Sequence, residues 1–114
     1  MQGLAHVGDA VFTLMVRTWL LTEGTSTARR LHDKSQAFVS AKAQAAAADL
    51  ILPVLDSEEA AVYKRGRNTH VNTVPKSSSH EDYHAATGIE ALFGYLYLNG
   101  KTDRLNELFE MIIE

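Results

Sequence analysis

The chain has 114 residues, 46% hydrophobic and 22% charged, with a formal net charge of −3. That length and composition predict one compact domain over residues 1–114 with a real apolar core, and they exclude a disordered or low-complexity chain. With no cysteine, a disulfide framework and a thiolate metal site are excluded, and a reducing, cytoplasmic setting fits. No apolar stretch is expected to span a membrane, and the N-terminus lacks the basic-then-apolar layout of a secretion signal.

Nearly every segment reads as helix. Leu4, Val7, Val11, Leu14 and Leu21 follow the 3.6-residue period, which predicts a first helix over about 3–22, ended near Gly24. Thr25, Ser26 and Thr27 offer an N-cap for a second helix that Pro53 stops. Its inward face is expected at Leu31, Phe38, Ala41, Ala45, Ala48 and Leu52. Ser57-Glu58-Glu59 opens a third helix to about Arg65, with acids in the first turn where the helix dipole favours them.

Residues 66–78 show no period and read as a loop. A thirteen-residue connection is long enough in so small a domain to suggest a function. Ser78 with Glu81 fits a capping box for a fourth helix running to about Leu98, before Asn99-Gly100. A last helix, Thr102 to Ile113, places Leu105, Leu108, Phe109 and Ile112 on one face. The predicted class is all-α.

Two acids stand out against this pattern. Asp9 is the only charge in Leu4–Phe12, and Glu90 the only one in Ala86–Leu98. A lone carboxylate in an apolar run is costly to bury unless it is paired, hydrogen-bonded or bound to a metal. Small residues flank both: Ala5 and Gly8 beside Asp9, Ala86 and Gly94 in one i, i+4 column with Glu90. If the two stripes face each other, the carboxylates meet. They would then repel and raise a pKa, or jointly ligate a hard divalent cation such as Mg²⁺ or Mn²⁺. The plainer alternative is that a tyrosine hydroxyl satisfies Asp9 and an arginine satisfies Glu90.

The charge is unevenly spread. Residues 29–76 hold eight of the eleven Lys and Arg against five acids, and 81–114 hold seven acids against Lys101 and Arg104. Between Ala60 and His80 there is no acid at all, while Lys64, Arg65, Arg67, Asn68 and Lys76 stand in that stretch. Arg29, Arg30, Lys34 and Lys42 add to the same balance. Such a surface neutralises phosphates, with Asn and Thr to position them. Solvated helix faces explain the same charges without any partner. Few aromatics interleave with the basic residues, which favours reading of duplex shape over single-strand stacking.

His80-Glu81-Asp82-Tyr83-His84 matches the zinc-protease pattern H-E-x-x-H. It falls at a helix start after a serine run, and helix capping already accounts for Glu81. Tyr83 and His84 are expected to border the carboxylate cleft instead.

Gly8-Asp9-Ala10-Val11 resembles the signature helix of the ribonuclease III catalytic domain, and Glu90 to Leu98 resembles its second metal-binding helix. Lys64 to Asn68, Thr73 to Lys76 and Ala86 to Ala91 look like the Mini-ribonuclease III branch, which lacks a double-stranded-RNA-binding domain. The resemblance covers nearly the whole chain. It implies an all-α helical bundle working as a homodimer around an RNA duplex. It further implies Mg²⁺-dependent phosphodiester hydrolysis, and a role in maturing the 23S ribosomal RNA precursor, with a ribosomal protein as a further partner. On this reading Asp9 and Glu90 are the catalytic metal carboxylates, and Lys64, Arg65, Arg67, Asn68 and Lys76 face RNA. Ala5 and Thr87 stand where the larger family carries further acids, which leaves metal number open. It also leaves open a catalytically silent RNA-binding or ribosome-associated dimer on the same scaffold.

Overall fold

The computed structural model describes residues 1–69, 74 and 79–114. Among these it contains six α-helices and no strand: α1 (Gln2–Thr22), α2 (Ala28–Val39), α3 (Ala41–Ile51), α4 (Ser57–Arg67), α5 (His80–Leu98) and α6 (Thr102–Ile113). The all-α expectation holds, and α6 has the predicted bounds.

The hub is α5, packed against α1, α3, α4 and α6. Nine of its residues between Ala86 and Leu96 are buried, so it is apolar almost all round, as a central helix must be. Phe93 meets Phe12 of α1 edge to face at 5.3 Å, and Phe12 meets Phe109 of α6 at 6.1 Å. Ile89, Leu92, Leu96 and Leu108 fill the space around these rings.

The buried face of α1 is Ala5, Gly8, Phe12, Val16 and Leu20. This corrects the predicted stripe: Leu14 is 66% and Leu21 55% exposed. The physical reason is backbone approach. A Cβ on Gly8 would lie 1.6 Å from the Glu90 carbonyl oxygen, and one on Gly94 2.1 Å from that of Leu4. The face that comes nearest α5 is therefore the one with the smallest side chains, and the bulkier Leu4, Val7 and Val11 flank it half-buried. By length and composition α1 could cross a membrane, contrary to the expectation of no such stretch. Here its apolar stripe packs into the core, and Asp9 and Arg17 are exposed.

The predicted second helix is two helices, bent by 56° at Ser40. Ser40 has extended backbone, and its Oγ accepts the Ala43 N–H at 3.2 Å, so the residue caps α3. The bend rotates α3 to bury Gln44, Ala47, Ala48 and Ile51, whereas the predicted Leu52 is exposed. Trp19 and Phe38 pack edge to face at 5.3 Å between α1 and α2.

Helix α4 begins with a capping box between Asp56 and Glu59 and continues through Gly66 to Arg67. Arg67, expected in the loop, thus lies with Arg65 in its last turn. Arg104 of α6 locks its start: Nε and Nη2 donate to the two Glu59 carboxylate oxygens at 2.9 and 2.8 Å, and Nη2 also donates to the Val54 carbonyl at 2.7 Å. The cap of α5 is Ser79, whose Oγ accepts the Asp82 N–H. Ser78, expected in that role, lies outside the described residues, as does most of the predicted loop.

Candidate active site

Close packing of α1 on α5 brings Asp9 and Glu90 together. The Asp9 charge acts directly on the Glu90 carboxyl. Both line one cleft with Gln2, Ala5 and His6 from α1, Tyr83 and Thr87 from α5, and Thr69 just past α4. The burial differs from expectation. Asp9 is exposed at the rim, because Gly8 beside it faces α5, while Glu90 is half-buried beneath.

Burial first, then the Asp9 charge and the hydrogen bond to Asp9, push the Glu90 carboxyl up to about 8; a hydrogen bond from Gln44 opposes the rise. Two neighbouring carboxylates are also a hard-oxygen donor pair. Mg²⁺ commonly takes one or two carboxylates and completes its shell with water and substrate phosphate, so this donor set fits it. Among the described residues no third His, Cys, Asp or Glu joins the pair. Ala5 and Thr87 do line the cleft. The Thr87 hydroxyl donates to the Tyr83 carbonyl at 2.9 Å along its own helix, so its proton is already engaged.

The basic residues adjoin this cleft. Lys64, Arg67, Asn68 and Thr69 line a larger groove together with Asp49, His80, Glu81 and His84. Thr69 lines both the groove and the cleft, so the two are neighbours. Arg65 is exposed on the same helical turn, whereas Lys76 lies outside the described residues. Lys64, Arg65 and Arg67 sit at the α4 C-terminus, where the dipole favours cations. Tyr83 borders the carboxylate cleft as expected, but His84 does not; it faces the groove, and its Nδ1 is buried without a partner among the described residues. His80 and His84 have ring centroids 6.3 Å apart.

One residue at the site is not among those the sequence pattern singles out. Gln44, 1% exposed on α3, lies near enough to lower the pKa of Glu90. The available signal was a lone polar side chain inside an alanine run, placed inward only by the bend at Ser40.

Residues 2–101 match the family described as the ribonuclease III domain. The Mini-ribonuclease 3 of Clostridium tetani is 42% identical over 111 residues, covering 96% of this chain and 74% of that protein. The Mini-ribonuclease 3 of Enterococcus faecalis is 40% identical over 114 residues, covering 98% of this chain and 86% of the relative. A crystal structure of a Fusobacterium nucleatum protein superposes with a TM-score of 0.87 at 32% identity, covering 96% of this chain and 89% of that one.

Proposed function

The chain belongs to the ribonuclease III domain family, in its Mini-ribonuclease 3 branch, and from that premise we propose that it is an endoribonuclease hydrolysing phosphodiesters in double-stranded RNA. The observation that carries the reading is the juxtaposition of Asp9 and Glu90 in one cleft, beside a groove to which the end of α4 contributes Lys64 and Arg67. Asp9 and Glu90 would hold Mg²⁺, with Mn²⁺ as a substitute. Bound there, the ion supplies Lewis-acid activation of the scissile phosphate and of a water nucleophile.

The protein's own residues do the rest. Asp9, at the rim, is open to solvent and substrate, and Glu90 anchors the pair from below. Lys64, Arg65 and Arg67 neutralise backbone phosphates, while Asn68 and Thr69 position the strand at the passage from groove to cleft. Lys76 belongs to the same proposed RNA-facing set.

We further propose a homodimer, in which two such clefts face the two strands of one duplex. The exposed Leu14 and Leu21 along α1 favour association, since large apolar side chains in water gain by burial against a second copy. A cytoplasmic role in 23S ribosomal RNA precursor maturation, beside a ribosomal protein, is the biological setting we propose for this activity.

The test is incubation of the purified chain with a long RNA duplex, with and without Mg²⁺, beside single-stranded RNA and duplex DNA. Discrete products from the RNA duplex alone, only with the metal, are expected. Binding to the duplex without products, in Mg²⁺ and Mn²⁺ alike, would replace the nuclease with a silent binder.

A further inference from the structure

The carboxylate cleft needs donors as well as acids. A phosphodiester brings two non-bridging oxygens, both acceptors, and charge builds on them during hydrolysis. Among the described residues no Lys or Arg lines the cleft; Lys64 and Arg67 line the neighbouring groove. Two hydroxyls of the cleft are already engaged. Thr69 Oγ1 donates to the Arg65 carbonyl at 3.0 Å and Thr87 Oγ1 to the Tyr83 carbonyl at 2.9 Å, each to the backbone four residues back.

Tyr83 is different. Its hydroxyl makes no hydrogen bond among the described residues and is open to solvent. The ring that carries it is nonetheless held. Tyr83 is half-buried, its ring meets that of His84 edge to face with centroids 6.0 Å apart, and its carbonyl takes the Thr87 hydroxyl. It stands about two helical turns before Glu90 and lines the same cleft. Gln2 and His6 line it too, but both are exposed near the start of α1, and exposed side chains lose more rotamer freedom on holding a ligand. A phenol also supplies a donor without placing a like charge beside a bound cation.

We propose that Tyr83 is a catalytic residue of the cleft: its O–H donates to a non-bridging oxygen of the phosphodiester held beside Asp9 and Glu90. The bond strengthens as negative charge builds on that oxygen in the transition state, and Tyr83 keeps its proton throughout. The inference rests on the nuclease reading of the cleft.

The experiment is single-turnover cleavage of an RNA duplex in saturating Mg²⁺ by wild type and Tyr83→Phe, which removes one oxygen and keeps the ring. The expected result is a rate lower by about a hundredfold, with duplex binding and calorimetric Mn²⁺ affinity equal to wild type. A wild-type rate overturns the proposal. A rate loss matched by weaker Mn²⁺ binding also overturns it, since Tyr83 would then support the ion. So does a loss that saturating enzyme erases, since Tyr83 would then serve docking alone. A duplex with sulfur in place of one non-bridging oxygen of the scissile phosphate locates the contact without any variant. Softer Mn²⁺ relieves sulfur at a metal-bound position but not sulfur at a hydrogen-bonded one. One diastereomer should slow wild type in Mg²⁺ and Mn²⁺ alike and slow Tyr83→Phe no further. Should Tyr83→Phe fail to fold, the wild-type pattern decides: slowing that Mn²⁺ does not relieve supports the proposal, and its absence overturns it. Wild type that cleaves no duplex would sink the nuclease reading itself, which is a different result from equal cleavage by wild type and variant.

Discussion

Glu90 bears the electrostatic tension of the site. Its carboxyl, raised from an ordinary 4.5 to about 8 by burial and by Asp9, holds a proton at neutral pH when no metal is present. The sign of the consequence follows from linkage. The folded state binds this proton more tightly than the unfolded chain, so its contribution is fully present below 4.5 and is lost as pH rises through about 8. Glu90→Gln removes that liability. In chelator at pH 8 we expect the variant to melt about 5 °C above wild type, while its cleavage of RNA duplex is abolished. A variant that melts below wild type would mean that Glu90 has a supporting structural role. The same residue displays what sequence could and could not tell. A lone acid among small residues on each of two helices was enough to pair Asp9 with Glu90. The exposure of Asp9 was not legible, because it depends on which side of Gly8 turns to α5.

At the scale of elements, two contacts govern the site. The first is α1 against α5 through Gly8 and Gly94. A methyl at Gly8 would meet the Glu90 carbonyl oxygen at 1.6 Å, so the helices must separate to admit it. Gly8→Ala is expected to destabilise by roughly 3 kcal/mol and to weaken Mn²⁺ binding together with stability, since separation parts the carboxylates. Unchanged thermal stability would contradict the backbone contact. The second is the Arg104–Glu59 lock between α6 and α4. The Arg104 hydrogen bonds, outweighing burial, hold the Glu59 carboxyl below its ordinary 4.5. That stability is present above 4.5 and is lost as pH falls through the lower folded-state value. Arg104→Met leaves a buried carboxylate unpaired and should cost about 3 kcal/mol at neutral pH. Denaturant melts at pH 7 and pH 4 check it, since the gap between variant and wild type must shrink in acid. The break at Ser40 is the element-level feature that periodicity does not reveal. Alanine-rich flanks argue for continuity, but a serine ahead of Ala41-Lys42-Ala43 is an N-cap, and the 56° bend follows from that one side chain. It turns Gln44, otherwise an ordinary polar residue, into the core.

Across the whole molecule, an acidic pair lies beside a groove that carries Lys64 and Arg67, with Thr69 lining both. Replacing Lys64, Arg65 and Arg67 together by Gln should raise KM for duplex RNA severalfold and leave kcat nearly unchanged. The dependence of binding on salt should flatten by about one slope unit for each phosphate no longer neutralised. A fall in kcat with KM unchanged would assign those residues to chemistry instead of docking. The helical class and the bounds of α6 were legible because they follow from periodicity along one chain. The inward face of α1 was not. It was decided by how closely α5 can approach, which is a property of two helices together. The most direct measurement of the shared carboxylate site is single-turnover cleavage of an RNA duplex by Asp9→Asn, Glu90→Gln and the double variant, with duplex binding followed in parallel. If the two carboxylates form one site, each single variant loses cleavage by a factor on the order of a thousand or more and the double variant loses little further, with binding retained in all three. Near-wild-type cleavage by either single variant, or losses that multiply in the double, would contradict a shared site.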